Sequence, residues 1–376
     1  MKKTRSANVK MWLAEPLARD VRLAIERLAR ADDVQHIAVM PDVHLAREVC
    51  VGTVVATNHL VYPAAVGSDI GCGIAVVGFE AQADALRNPR VAQDLLEKLR
   101  GAVPAYRHHH GSLPEALTSR SLSNDRLEII RRRDGSVQFG TLGRGNHFLE
   151  FQHDDEDRLW LMVHSGSRAI GQAVRDFHEA QVVGSKNSLR FLDAQSEAGA
   201  AYLADADWAR AYAKASRRAM IDASVELSRN LIGAKADWAS YFDCDHNHVR
   251  RETHFGREMW VHRKGAMSAQ EGESGAIPGS MGTESFHVTG RGNAESLRST
   301  SHGAGRAMSR MEACRKINTG DVRNALQRVH FDPRIIRSLP EESPAAYKDV
   351  RAVLRAEAEL TRVVRRLRPV LVYKGR

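Results

Sequence analysis

The chain has 376 residues, of which 43% are hydrophobic and 27% charged, a composition that excludes a disordered, collagen-like or small disulfide-stapled protein. Lysine and arginine number 55 against 46 acidic residues, a formal net charge of +9 that concentrates polyanions such as RNA, DNA or nucleotides near the surface. Aromatics make up only 6%, so backbone phosphates are a better handle on a nucleic acid than stacking along many bases.

Residues 14–31 place Leu17, Val21, Ile25, Leu28 and Ala29 at helical spacing, and a short apolar strand, HIAVMPDVH, follows and is stopped by Pro41. Val49–Thr57 and Gly73–Phe79 are β-branched runs bounded by Gly and Pro and read as strands, whereas 89–100, 167–185 and 202–233 read as helices. Between them, residues 101–137 form a polar excursion carrying HHH at 108–110 and RRR at 131–133, either a solvated surface or a contact to RNA backbone. After residue 239 the chain becomes dense in Gly, His and Ser, a pattern of short strands joined by tight turns. A helix is expected over 305–315, with His302 at its start. A last helix is expected over 348–368, with Val350, Val353, Leu354, Leu360, Val364 and Leu367 on one face and Pro369 at its end. Strand and helix are interspersed, no linker or repeat divides the chain, and the expected architecture is α+β: one large compact domain over 1–376 with mixed β layers flanked by helices.

No apolar run approaches the roughly 20 residues of a membrane span, and the basic segment Met1–Arg5 leads into a stretch broken by Glu15 and Pro16, so a cytoplasmic protein is expected. Cys50, Cys72, Cys244 and Cys314 are far apart without CxxC spacing, which fits neither a disulfide framework nor a zinc ribbon.

The chemistry-bearing residues cluster at strand ends beside glycines. Asp69 and Cys72 share the turn DIGCG, Asn146-His147 follows GTLGRG, His164 ends LWLMV, and His246 follows ASYFDC. Singly, each histidine reads as structural or as a surface residue. Together they form a mixed O/S/N set that suits a divalent transition metal better than Mg²⁺ or Ca²⁺, and one thiolate can bridge two ions about 4 Å apart, a recurring arrangement for phosphoryl chemistry. SHGAGR (301–306) puts His302 before the expected helix, either as a cap or as a nucleophile toward phosphorus, with Arg306 a turn later to neutralise developing charge. No GxxxxGK[ST], no GxGxxG after a strand and no KxDG occurs, so a covalently held nucleotide points to histidine.

PDVH (41–44), DIGCG (69–73), GNHF (145–148), HSGSR (164–168), HN (246–247), HRKGAMSA (262–269), IPGSMG (277–282), SHGAGR (301–306), AYKD (346–349) and KG (374–375) stand in the order found in RtcB RNA ligases, and the resemblance covers essentially the whole chain. It implies a GTP- and Mn²⁺-dependent enzyme that joins RNA ending in a 3′-phosphate or 2′,3′-cyclic phosphate to RNA bearing a 5′-hydroxyl. By carry-over, Asp69, Cys72, His147, His164 and His246 are the metal ligands, with Cys72 bridging two Mn²⁺. His302 takes GMP from GTP. Asn146, Glu150, Ser280, Gly303, Ala304, Gly305, Arg306, Tyr347 and Lys374 surround the nucleotide, Tyr347 stacking on guanine and Lys374 reading it.

The chain departs from the family pattern at Ala46-Arg47-Glu48-Val49-Cys50 after PDVH, at His248, and at Arg144, which replaces a typically small residue beside GNH. LAREVCVGTV and the compact length resemble the release-factor-H-associated branch, which implies rescue of broken tRNA or ribosomal RNA, with release factor H or an archease-like activator as partner. Two other readings are a metal-dependent RNA end phosphatase or cyclic phosphodiesterase without ligation, and a non-catalytic RNA-binding module. The surplus charge, with eight Lys and Arg against two Glu in residues 351–376, is expected to dock RNA ends.

Overall fold

The computed structural model describes residues 6–182 and 189–375, which leaves Met1–Arg5 and the end of the 167–185 helix outside the described residues. The strands of four residues or more form two sheets. The first takes β1 (Asn8–Met11), β2 (Val34–His44), β3 (Val51–Thr57), β9 (Arg257–Lys264) and β8 (Asn247–His254) in that order, antiparallel except for β1 on β2. The second runs β11 (Ser274–Ile277), β12 (Ser285–Gly290), β14 (Thr361–Tyr373), β5 (Phe148–His153), β6 (Arg158–Ser165), β4 (Gly73–Gln82) and β7 (Ala236–Asp245), with the two-residue strand His330–Phe331 added on β14. A short ribbon pairs β10 (Ala266–Ser268) with β13 (Ser299–Ser301). This is the α+β arrangement of mixed β layers and helices read from the sequence.

Residues 73–79 of β4 are all buried, the near-continuous apolar run of a strand covered on both faces. The cover on one face is the helical layer. In α1 (Arg19–Ala29), Val21, Ala24, Ile25 and Leu28 form one buried stripe against Ile37, Val39 and Val55 of the first sheet. The helices α2 (Pro89–Ala102) and α3 (Arg168–Ala180) flank α4 (Glu197–Ile232), whose 36 residues begin at the Ser196 cap and stop at Gly233 in the left-handed conformation. No helix among the described residues is long and apolar enough to cross a membrane.

Four local expectations change. β2 continues through Pro41, because its register with β3 slips between Val39 and His44 and the missing N–H falls where no ladder bond is needed. The excursion over 101–137 is anchored, not merely solvated: Leu117, Leu122 and Leu127 are buried against α3 and α4. The expected 305–315 helix shrinks to α5 (Arg310–Lys316), because the Ser309 hydroxyl caps it by accepting from the Glu312 N–H. Gly305 ahead of it holds φ +74°, with the Asp42 carbonyl so close that an added Cβ would stand 2.3 Å away. The expected 348–368 helix is α6 (Val350–Ala356) followed by β14. The apolar residues of 361–373 fit a strand as well as a helix, and pairing with β12 on one side and β5 on the other decides for the strand. Pro369 lies inside β14 at a register shift.

Candidate active site

The centre of the second sheet explains the site. β5, β6, β4 and β7 are adjacent and antiparallel, with Phe148 opposite His164, Gly73 opposite Ser165 and Gly73 opposite Asp245. The starts of β5 and β4 and the ends of β6 and β7 therefore share one edge. His147 precedes β5, His164 lies near the end of β6, Cys72 precedes β4 and His246 follows β7, so residues up to 174 positions apart in sequence converge there.

Cys72 Sγ lies 3.6 Å from His147 Nε2 and 3.3 Å from His164 Nε2, His147 Nε2 is 2.9 Å from Asp69 Oδ2, and His164 Nε2 is 3.4 Å from His246 Nε2. Two ligand triads result, Asp69–Cys72–His147 and Cys72–His164–His246, which share the one sulfur. The Nδ1 atoms of His147 and His164 face the carbonyls of Leu142 at 2.9 Å and Asn146 at 3.2 Å. Donation there leaves each Nε2 lone pair free for a metal. Burial, and then the neighbouring imidazoles, hold His164 and His246 well below the usual histidine range, so both are neutral imidazoles able to ligate a metal. Burial would push Asp69 up, but His147 and, to a lesser degree, Cys72 and His164 keep it below the usual carboxylate range. Burial and the Asp69 charge push the Cys72 thiol well up. Thiolate formation there calls for a cation, and the neutral imidazoles, carboxylate and shared sulfur fit a pair of divalent ions.

Sequence reasoning missed what holds this edge together. Arg217 of α4 is fully buried and donates to the Gly71 carbonyl at 2.6 Å, the Ser165 carbonyl at 2.8 Å and both Asp243 oxygens at 2.8 Å. One guanidinium thereby ties together the turn bearing Cys72, the end of β6 and the strand leading to His246. One of four arginines in a 36-residue helix, with Arg218 beside it, Arg217 gives no sequence signal of that role.

His302 stands next to the metal edge, its ring centroid 4.7 Å from that of His246. Its Nδ1 lies 2.6 Å from Oδ2 of Asp42, which is fully buried and also accepts from the His302 backbone N–H at 3.2 Å. This carboxylate fixes the tautomer and leaves Nε2 as the basic nitrogen. Asp42 lies in PDVH but carried no expected role. The expected helix N-terminus behind His302 is replaced by the irregular segment 302–309.

A cavity of about 840 Å³ opens from the metal edge. Asp69, Cys72, His164, His246, His302 and every residue expected around the nucleotide line it: Asn146, Glu150, Ser280, Gly303, Ala304, Gly305, Arg306, Tyr347 and Lys374. His147 stands behind Cys72 and Asp69. At the far end Glu342, another residue that sequence reasoning missed, accepts from Tyr347 Oη at 2.7 Å and Lys374 Nζ at 2.8 Å. Burial would raise Glu342, and Lys374 outweighs it. Glu150, nearby and without a full counter-charge, is pushed by burial up to about 8 despite the Gln152 amide and Lys374. The Arg306 guanidinium lies 5.1 Å from the Tyr347 ring centroid and donates to the Glu341 carbonyl at 2.7 Å, not one helical turn beyond His302 as expected.

The C-terminal arginines are also placed differently from the expectation of a docking surface. Arg365, Arg366 and Arg368 pair with Asp154 and Asp155 at 3.1, 2.7 and 2.9 Å, and Arg351 pairs with Glu284 at 2.7 Å. Carboxylates from distant parts of the chain balance the local surplus.

The sequence model of the family described as "tRNA-splicing ligase RtcB" matches residues 24–375. The RNA-splicing ligase RtcB of Escherichia coli K12 is 35% identical over 418 aligned positions, covering 99% of this chain and 98% of that protein. The tRNA-splicing ligases RtcB of Methanococcus maripaludis and Archaeoglobus fulgidus are 28% and 30% identical, over 96% and 90% of this chain and 93% and 87% of theirs.

Proposed function

The chain belongs to the RtcB family of RNA-splicing ligases and is an RNA ligase, and on that premise we propose that it joins a 3′-phosphate or 2′,3′-cyclic phosphate end to a 5′-hydroxyl end through GMP carried on His302. The observation that carries this reading is the tie from His302 Nδ1 to buried Asp42, which aims a basic Nε2 into the cavity beside two sulfur-sharing triads. Nε2 attacks the α-phosphorus of GTP, an N–P bond forms, and the P–O bond to pyrophosphate breaks. The imidazolium character that develops is stabilised at Nδ1 by Asp42. A 2′,3′-cyclic end is first opened by water to the 3′-phosphate; an oxygen of that phosphate then displaces the histidine and takes GMP, and the 5′-hydroxyl, losing its proton, attacks the RNA phosphorus and expels GMP to leave a 3′,5′-phosphodiester.

Two divalent ions, taken here as Mn²⁺, would be held by Asp69, Cys72 and His147 and by Cys72, His164 and His246, and would neutralise charge on the phosphate oxygens. Glu150, Tyr347 and Lys374 form the guanine end, and Asn146, Ser280 and the 303–306 segment the phosphate and ribose walls. The volume suits a nucleotide. The physiological substrates are broken tRNA or ribosomal RNA ends, with release factor H or an archease-like protein as accessory partner.

Incubation with GTP and Mn²⁺ is expected to add GMP covalently to the wild type and not to His302→Ala, read by intact-protein mass. An unmodified wild type overturns the proposal. Opening of the cyclic phosphate or loss of the terminal phosphate without GTP and without joined RNA would make the enzyme a metal-dependent cyclic phosphodiesterase or RNA end phosphatase instead.

A further inference from the structure

Where the 101–137 excursion leaves the fold it is fastened to the loop that carries His147. The Leu142 and Gly143 N–H groups donate to the Pro104 and Ala105 carbonyls, each at 3.0 Å, and Arg168 donates to the Ala105 carbonyl at 3.2 Å. The next residue, Tyr106, has its position fixed relative to the metal edge. Its ring remains 45% exposed, and the Arg144 guanidinium packs over it at 4.2 Å from the centroid. Arg144 is itself exposed and sits two residues before Asn146, which lines the cavity.

Arg310, at the cavity wall, closes the same turn from the other side. Gly145 holds φ +72°, and a Cβ there would stand 3.1 Å from an Arg310 nitrogen. The ion-pair partner of Arg310, Glu341, is 4.0 Å away. Beyond Tyr106, Arg107 is exposed and has no partner among the described residues. Arg310 at the cavity wall and Arg144 over one half-exposed, pinned aromatic ring thus stand at the two sides of the turn that leads to Asn146.

We propose that the Tyr106–Arg144 stack is a platform on which an unpaired nucleotide near the end of a single-stranded RNA stacks while its 3′-phosphate enters the cavity. This rests on the RNA ligase reading above. The chemistry selects single strands: an aromatic face and a planar guanidinium bind a splayed base of any identity, whereas a duplex keeps its bases stacked on one another. Flanking Arg107 and Arg310 suit the phosphates on either side.

The test uses the full-length protein and a fluorescent oligoribonucleotide with a 3′-phosphate, as a single strand and annealed into a blunt duplex. Tyr106→Ala is expected to weaken single-strand binding about tenfold with little change in salt dependence, and Tyr106→Phe to restore it. Arg144→Ala is expected to weaken binding and lower the salt slope by about 0.7, and Arg144→Lys to recover the slope but not the full affinity. Duplex binding is expected to be equal for wild type and Tyr106→Ala. In joining assays the variants raise the KM for RNA while GMP loading in the absence of RNA stays at wild-type yield. Single-strand affinity within twofold of wild type for both alanine variants overturns the platform. A wild type that neither loads GMP nor joins RNA overturns the ligase reading, and the binding arms then judge the platform by themselves.

Discussion

The two ends of the cavity are built by different means. The candidate metal end is an edge of four adjacent antiparallel strands, which carry His164 and hold Cys72, His147 and His246 next to their ends, with Arg217 binding the edge from behind. The nucleotide end takes Glu150 from β5 and is otherwise made of loops and short 3-10 turns, 278–282, 302–309 and 340–347, joined by the Glu342–Lys374–Tyr347 cluster. Metal ligation demands particular atoms within tenths of an ångström, and a sheet edge supplies that rigidity. A purine and its phosphates are recognised over a larger area, which loops meeting across the fold can cover.

If this contrast holds, damage at the metal end abolishes every step and damage at the nucleotide end affects GMP loading. Cys72→Ala removes the sulfur common to both triads, so both ions are expected to be lost by elemental analysis, with joining down roughly 10³-fold or more. Two ions per chain retained in this variant would break the contrast. Asp42→Asn keeps both triads but deprives His302 of the carboxylate that sets its tautomer, and GMP loading is expected to slow about 10²-fold at unchanged metal content.

At the nucleotide end the expected effect is smaller and depends on pH. With Glu150 at about 8 in the free protein, the protonated form dominates near neutrality, whereas a guanine edge offering N–H donors favours the carboxylate. Nucleotide binding then releases a proton, and the KM for GTP is expected to fall as pH rises from about 6 to 8, up to tenfold per unit, and to level off above that. Glu150→Gln should flatten the profile, and a KM that rises with pH in the wild type would show that Glu150 binds as the neutral acid.

Glu357 gives a stability counterpart. Burial raises it to about 7 while the Ser301 N–H and hydroxyl, adjacent to His302, donate to its carboxyl. Raised in the folded state, it binds more protons there than in the unfolded chain between about 4.5 and 7. Its contribution is full below that window and lost as pH climbs through it. Glu357→Gln should reduce the fall of Tm across the same window. The smallest effect is expected at the C-terminal strand, where Arg366→Ala breaks a solvent-screened pair with Asp155 and should leave Tm close to that of the wild type.

The amino-acid sequence by itself determined the α+β class, most strands and helices, and candidate residues that the fold brings to one cavity. Cysteine between glycines, histidines at strand ends and the glycine-flanked His302 are residue types that metal and phosphoryl chemistry require, so they are conspicuous without coordinates. Tertiary structure alone decided which strands are neighbours, and hence that Cys72 is shared between two triads. It turned 361–373 from helix into strand, because pairing on both sides outweighs an ambiguous apolar pattern. It brought Asp42, Arg217 and Glu342 to the site, since a buried carboxylate or guanidinium takes its role from partners 26 to 260 positions away along the chain. It also drew several of the C-terminal arginines into ion pairs with Asp154, Asp155 and Glu284, a distribution that net charge does not contain.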